Sequence, residues 1–350
     1  MNKLLLVLLL ALAPTAFANI WYVDGVQGND MNSCKTRQTA CKTIGHAISL
    51  ASSGDTIGVG SGTYSESLTI NTSLKIFGTD ARTTVVDGSS QFRTVFNIST
   101  GVVLLSRLTI QNGSANGSYA GGIENDQAAT LTISYCTIRQ NTGGYGGGIA
   151  NFGTATINDS TITGNGYSGG YAGGIANFSR ATVINTTITE NTGGYGGGIV
   201  NFDTTTVHSS TITGNIGYDY LGGIVNLAGP GSVHAVSLEN TVVANKPGGN
   251  CYLTVTSEGY NLSDDGSCNF NGPGDLNNTD PMLGPLGNNG GPTQTLKLLR
   301  GSPAIDAGNP NGCTDGSGNP LTTDQRGWPR PGKYDPDKRC DIGAYERQID

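Results

Sequence analysis

The sequence predicts an all-β fold: a right-handed, single-stranded parallel β-helix with an N-terminal capping helix and a loop-rich C-terminal cap. Three observations point there. Tyr119, Tyr145, Tyr171, Tyr195 and Tyr220 each stand six residues before Asn125, Asn151, Asn177, Asn201 and Asn226. Between the members of every pair lies the same Gly-Gly-Ile core, ending at Ile123, Ile149, Ile175, Ile199 and Ile224. A second row, Asn141, Asn165, Asn191, Asn215 and Asn245, runs in step with the first. Successive asparagines of the first row are 26, 26, 24 and 25 residues apart. A repeat of this length stacks units along one axis, so each residue type forms a row.

The elements follow in order. Residues 1–18 read as a signal peptide: Met1-Asn2-Lys3, an apolar run from Leu4 to Leu12, and the small-x-small pattern Ala16-Phe17-Ala18. Residues 19–55 hold a strand at Ile20–Val23, a cysteine-flanked loop, and a short amphipathic helix from Thr43 to Ser52. In that helix Ile44, Ala47, Ile48 and Ala51 fall at helical spacing. A helix there is expected to cover the open first coil. Residues 56–245 form the repeats, with three short strands per unit, around Ile133, Ile138 and Ile149 in one unit. Asparagine suits the bends because it tolerates left-handed backbone and its amide both donates and accepts. About eight coils would make a shaft on the order of 40 Å long. Residues 246–350 lose the register and are expected to form a disulfide-bearing cap. Leu296–Leu299 and Ser302–Asp306 are expected as strands added to the last turn.

Composition narrows the function. The chain carries 13% charged residues, a net charge of −7 and 55 glycines. Between Lys75 and Lys246 there is no lysine. Such a chain is a poor match for nucleic acid, which needs clustered cations. No stretch beyond the leader is long enough for a transmembrane helix. A monomer that is secreted, periplasmic or associated with the cell surface is expected. Seven cysteines fit an oxidising compartment. Cys34 and Cys41, Cys251 and Cys268, and Cys313 and Cys340 are the disulfide candidates, although sequence alone does not fix connectivity. Cys136 is left over, at a phase held elsewhere by Ser160, Thr186 and Ser210, and is read as a buried free thiol.

The Gly-Gly-Ile-x-Asn units, with Phe152, Phe178 and Phe202 beside the asparagine, resemble the repeats of polymorphic outer membrane proteins. Lys42-Thr43-Ile44 through Gly54-Asp55-Thr56-Ile57 to Gly62-Thr63-Tyr64 is similar to the opening of right-handed β-helix proteins of the pectate-lyase-like superfamily. Ser302–Gly308, Asp324–Gly327 and Cys340–Glu346 resemble the choice-of-anchor Q region of exported β-helix proteins. The resemblance implies this architecture, and polysaccharide lyases and hydrolases are among the superfamily's activities.

A catalytic set is not evident. Hydrolases of this kind need paired carboxylates, and lyases need a calcium-binding acid cluster with a basic residue. Asp159 and Glu239 share a phase about three turns apart, while Arg107, Arg139 and Arg180 stand scattered. His46, His208 and His234 are isolated. Asp315–Asn319 is only loosely like a calcium loop, so no metal site is assigned and calcium stays an open option. Asp306, Asp324, Arg326, Arg330, Asp341 and Glu346 read as a structural charge network. The tyrosine row, facing outward, would make an aromatic strip for sugar rings, set against the plainer reading of a shielding ladder. The expectation is therefore a non-catalytic, surface-associated protein for adhesion or carbohydrate binding, with polysaccharide or surface glycan as partner. The alternative is a polysaccharide lyase or glycoside hydrolase acting on an acidic polysaccharide.

Overall fold

The computed structural model describes residues 18–89, 93–115, 117, 120–167, 169–228, 235–245, 248–332 and 339–348. The proposed leader, and with it Tyr119 and His234, falls outside them. The chain winds into a right-handed parallel β-solenoid of about 7 turns, one fewer than the repeat count suggests. One coil contains Ile149–Asn151, Thr154–Asn158, Thr161–Thr163 and Gly166–Tyr167. The next coil lays Ile175–Asn177, Arg180–Ile184, Thr187–Thr189 and Thr192–Gly193 over them, with Ile on Ile and Asn on Asn at the inward positions of the first strand.

Alternation decides what goes inside. In Thr154–Asn158, Ala155 and Ile157 are buried while Thr154 is exposed. The inward residues stack into columns, Ile149–Ile175–Ile199–Ile224 and Ile138–Ile162–Ile188–Ile212 among them. Each such side chain contributes roughly 1.5–3 kcal/mol by leaving water.

Both asparagine rows are buried amide ladders. Asn125 Nδ2 donates to Asn151 Oδ1 at 2.7 Å, Asn151 to Asn177 at 2.7 Å, Asn177 to Asn201 at 2.9 Å and Asn201 to Asn226 at 3.0 Å. The second row runs from Asn141 through Asn165, Asn191 and Asn215 to Asn245 with contacts of 2.9–3.0 Å. Their spare protons bond bend carbonyls such as Arg180 O and Ile162 O, which would otherwise be buried without partners. Cys136 is fully buried, and burial pushes its thiol up to about 12.

At the N-terminal end Ile20–Val23 pairs in parallel with Thr56–Val59. The helix spans Ile44–Leu50, with Thr43 Oγ1 accepting from His46 N and the Glu66 carboxylate accepting from Ile44 N and Gly45 N. Cys34 is bonded to Cys41, Cys251 to Cys268 and Cys313 to Cys340.

The C-terminal part departs from expectation. Strand pairing continues past Asn245, because Cys251–Tyr252, Thr256–Gly259 and Leu262–Ser263 add to the preceding coil. Thr295–Leu298 does not join the last turn; it pairs antiparallel with Leu283–Gly287, and Pro303–Asp306 is turn. The following segment folds back along the flank of the shaft. Thr161 Oγ1 donates to Gln294 O at 2.6 Å, Thr187 Oγ1 to Gln325 Oε1 at 2.6 Å, and Ala344 N to Thr211 Oγ1 at 3.1 Å. The Thr-Ile-Thr strands present a row of hydroxyls, and the tail's polar groups bond to that row.

Candidate functional site

Arg107, Tyr135, Asp159, Asn185, Ser209 and Asn240 occupy one bend in successive coils, all with φ between 47° and 57°. Each backbone N–H bonds to the next coil, as Arg107 N does to Ser134 O and Tyr135 N to Asn158 O. Asparagine and aspartate tolerate this left-handed backbone; arginine and tyrosine do so at a cost of about 1–3 kcal/mol. The unfavourable residue types thus sit at the end of the row nearest the N-terminus, where the bend meets open space.

That space is a cleft between the early coils and the returning tail. A cavity of about 470 Å³ is lined by Tyr22, Asp24, Arg37, Phe77, Thr79 and Arg107 among others. It shares Thr79 and Arg107 with one of about 370 Å³ that adds Asp80, Arg82, Tyr135, Pro292 and Arg326. Arg82 and Pro292 continue into a third, of about 290 Å³, with Arg139 and Asn288. Five arginines and two aspartates thus line these three adjoining cavities, in a chain whose net charge is −7.

Three of these arginines are already engaged. Arg82 makes a two-point contact with Asp80 (2.6 and 2.9 Å), which holds the Asp80 carboxyl below its ordinary range. Arg139 Nε donates to Gln111 Oε1 at 2.9 Å. Arg326 is buried against Asp324 Oδ2 at 2.7 and 2.8 Å. Arg37 and Arg107 are exposed, with no ion-pair partner among the described residues.

Tyr135 lies in the cleft wall, and Asp159 takes the same bend position in the next coil. Burial lifts the Asp159 carboxyl to about 7, partly offset by Asn185 Nδ2, which donates at 3.2 Å. Burial also raises the Tyr135 phenol. A buried carboxyl that exchanges its proton near neutrality, in the coil beside a cleft-wall phenol, is a candidate acid–base group.

The tail charges form one buried network. Arg326 Nη2 also donates to Glu346 O, Arg330 Nε lies 3.1 Å from Glu346 Oε2, and Glu346 accepts from Gly332 N and Asp341 N at 3.0 Å each. Arg330 Nη1 reaches Asn185 Oδ1 at 3.2 Å and Asn240 Nδ2 reaches Asp341 O at 2.9 Å, tying the network to the shaft. Arg326 also stacks 3.7 Å over the Tyr345 ring.

The tyrosine row sits at another corner. Tyr145, Tyr171 and Tyr195 are half-buried and Tyr220 is exposed. Tyr145–Tyr171, Tyr171–Tyr195 and Tyr195–Tyr220 centroids lie 5.7, 4.8 and 5.5 Å apart, mostly edge to face. Phe152, Phe178 and Phe202 stack beside them at 4.6 and 4.7 Å with planes 6° apart. The strip is a packed double ladder whose tyrosine edge stays partly exposed.

Two sequence expectations are corrected here. Asp159 and Glu239 do not share a row: Glu239 pairs with His208, since the last coil has one residue fewer between bend and asparagine. His208 is not isolated either, lying 3.6 Å from Glu239, which also accepts from Asn309 and Thr314 of the tail. Among the described residues one group has metal-ligand spacing, Cys34, Cys41 and His46, and its sulfurs are joined in the disulfide. Asp315 caps its own turn, accepting from Ser317 N and Asn319 N.

Arg37, Arg82, Tyr135 and Arg326 were not legible as a cleft from sequence. The available signal was the shared bend phase of Arg107, Tyr135 and Asp159, 28 and 24 residues apart.

Neither a protein-family model nor a curated protein matches the sequence. Among solved structures the chain is similar to the pectate lyase Pel9A, with TM-score 0.53 and 14% identity over 95% of this chain and 97% of that one. A pectin methylesterase from Aspergillus niger aligns with TM-score 0.42 and 14% identity over 75% and 86%. The likeness is one of fold alone: the chain is a right-handed parallel β-helix. Among the described residues no helix is long and apolar enough to cross a membrane. The disulfides fit an exported, extracytoplasmic protein.

Proposed function

We propose that this is an exported protein acting on an acidic polysaccharide, with the arginine-lined cleft as its binding site. The observation that carries the reading is the concentration of five arginines around three adjoining cavities of an acidic chain. Guanidinium groups meet carboxylates in two-point geometry, and uronate polymers repeat a carboxylate at every sugar. Arg37 and Arg107 would bind those carboxylates directly. Arg82 and Arg139, held by Asp80 and Gln111, would set the spacing, while Arg326 shapes the wall. The fold shared with a pectate lyase supports this reading over a purely adhesive role.

Tyr135 is the group placed to move a proton at the bound sugar, with Asp159 holding or releasing the partner proton near pH 7. Gel electrophoresis in polygalacturonate tests the binding step. The wild type should be retarded, and Arg107→Ser should weaken binding by about ten-fold, as loss of a charged hydrogen-bonded contact does. Unchanged retardation would remove the cleft from consideration. Product release followed by ultraviolet absorbance or reducing ends tests the chemistry, and Tyr135→Phe should suppress it while leaving retardation intact.

A further inference from the structure

The phenylalanine stack has an open end. Phe152 follows Asn151 as Asp126 follows Asn125, and the two asparagines pair in register. Asp126 therefore takes the phenylalanine place in the preceding coil, and the stack stops at Phe152. A groove of about 560 Å³ opens there, lined by Glu124, Asp126, Gln127, Phe152 and Phe178. Glu124 and Asp126 lie two residues apart, so they share one side of the chain. Glu124 is only 7% exposed, and among the described residues its carboxylate accepts one hydrogen bond, from Ala120 N to Oε2 at 3.3 Å. Among the described residues neither carboxylate has an ion-pair partner. Burial raises both carboxyl groups, and the nearby Asp126 charge raises Glu124 further. Two acids and an aromatic face line this space, and among the described residues no Lys or Arg lines it with them.

We propose that this groove binds the ammonium group of an amino-sugar polymer. The ammonium would sit between the Glu124 and Asp126 carboxylates and over the Phe152 ring, satisfying charge and ring quadrupole together. A polymer is favoured over an isolated cation because the aromatic edge continues coil after coil through Tyr145, Tyr171, Tyr195 and Tyr220. Sugar rings expose apolar C–H faces at a regular repeat that such an edge can pack against. The site is chemically opposite to the arginine cleft: carboxylates here would repel a uronate.

Calorimetry with the glucosamine hexamer tests this, using the N-acetylglucosamine hexamer and hexalysine as comparisons. Two variants report on the site: Asp126→Asn, and Phe152→Leu, which the coil tolerates because Leu227 fills the equivalent place in a later coil. Each should weaken glucosamine-hexamer binding by about ten-fold. Glu258→Gln, which removes an exposed charge elsewhere, should leave it unchanged. Weak binding of the N-acetylated hexamer would support the ammonium contact. Equal losses in Asp126→Asn and Glu258→Gln, no effect of Phe152→Leu, hexalysine binding as tightly as the sugar, or no binding by the wild type would each overturn the proposal.

Discussion

Replacing Asn177 by alanine probes the amide ladder at its centre. Asn177 is fully buried; its Nδ2 lies within bonding distance of Asn201 Oδ1 (2.9 Å), Ser179 O (2.8 Å) and Thr204 O (2.9 Å), and its Oδ1 accepts from Asn151 Nδ2 (2.7 Å). The neighbours are only partly harmed by its loss. Asn151 keeps Gly153 O and Arg180 O, and Asn201 Oδ1 keeps Thr205 Oγ1. Ser179 O and Thr204 O lose this side-chain donor. At about 1–3 kcal/mol for each buried group left without a partner, the expected loss is about 2–6 kcal/mol. Exposed Thr154→Ala, one coil away, should stay within about 0.5 kcal/mol of wild type. Guanidinium unfolding followed by circular dichroism gives the comparison. Hydrogen exchange locates the damage, since repeat arrays lose two-state behaviour and neighbouring coils should lose protection first. If Asn177→Ala and Thr154→Ala were indistinguishable, the ladder would be a consequence of the fold and not a cause of it.

Two further expectations concern pH. Asp159 has a folded value near 7, above its ordinary 3.8, so the folded state keeps a proton that the unfolded state has released. Stability should fall as pH rises through that window and then level off, and Asp159→Asn should flatten this slope in a series of Tm measurements; parallel profiles would refute the assignment. Glu239 is held below its ordinary value chiefly by the neighbouring His208, whose Nδ1 lies 3.6 Å from its carboxylate. Its contribution is present above the ordinary glutamate range and is lost as pH falls through the depressed value, so the difference between wild type and Glu239→Gln should shrink on acidification; a constant difference would refute it.

The architecture was legible because a ladder demands the same residue in every coil. Asn125, Asn151, Asn177, Asn201 and Asn226 announce themselves by spacing alone, and so does the inward isoleucine column. Phase says less about how a side chain packs. The tyrosines repeat as regularly as the asparagines, yet their rings tilt into an edge-to-face ladder shared with Phe152, Phe178 and Phe202. The cleft was hidden for a different reason. Arg37, Arg82, Arg107, Arg139 and Arg326 belong to separate coils and the tail, and each alone resembles any solvated surface arginine. Glu239 misled because counting from its asparagine assumes equal bends, whereas the strand register sets it against His208. The tail could not be placed from its own residues, because its partners are hydroxyls such as Thr161 and Thr187, distant in sequence and identical to the unbonded threonines of other strands.

The path of that tail changes how the shaft should come apart. A plain solenoid frays from its ends, each coil guarded only by its neighbour. Here residues near position 325 are stapled to coils that were completed far earlier in the chain, with Gln325 bridging Thr161 and Thr187. Peeling the final coil therefore requires first stripping a strap that crosses several others. The molecule should resist unzipping from its C-terminal end until the strap is released.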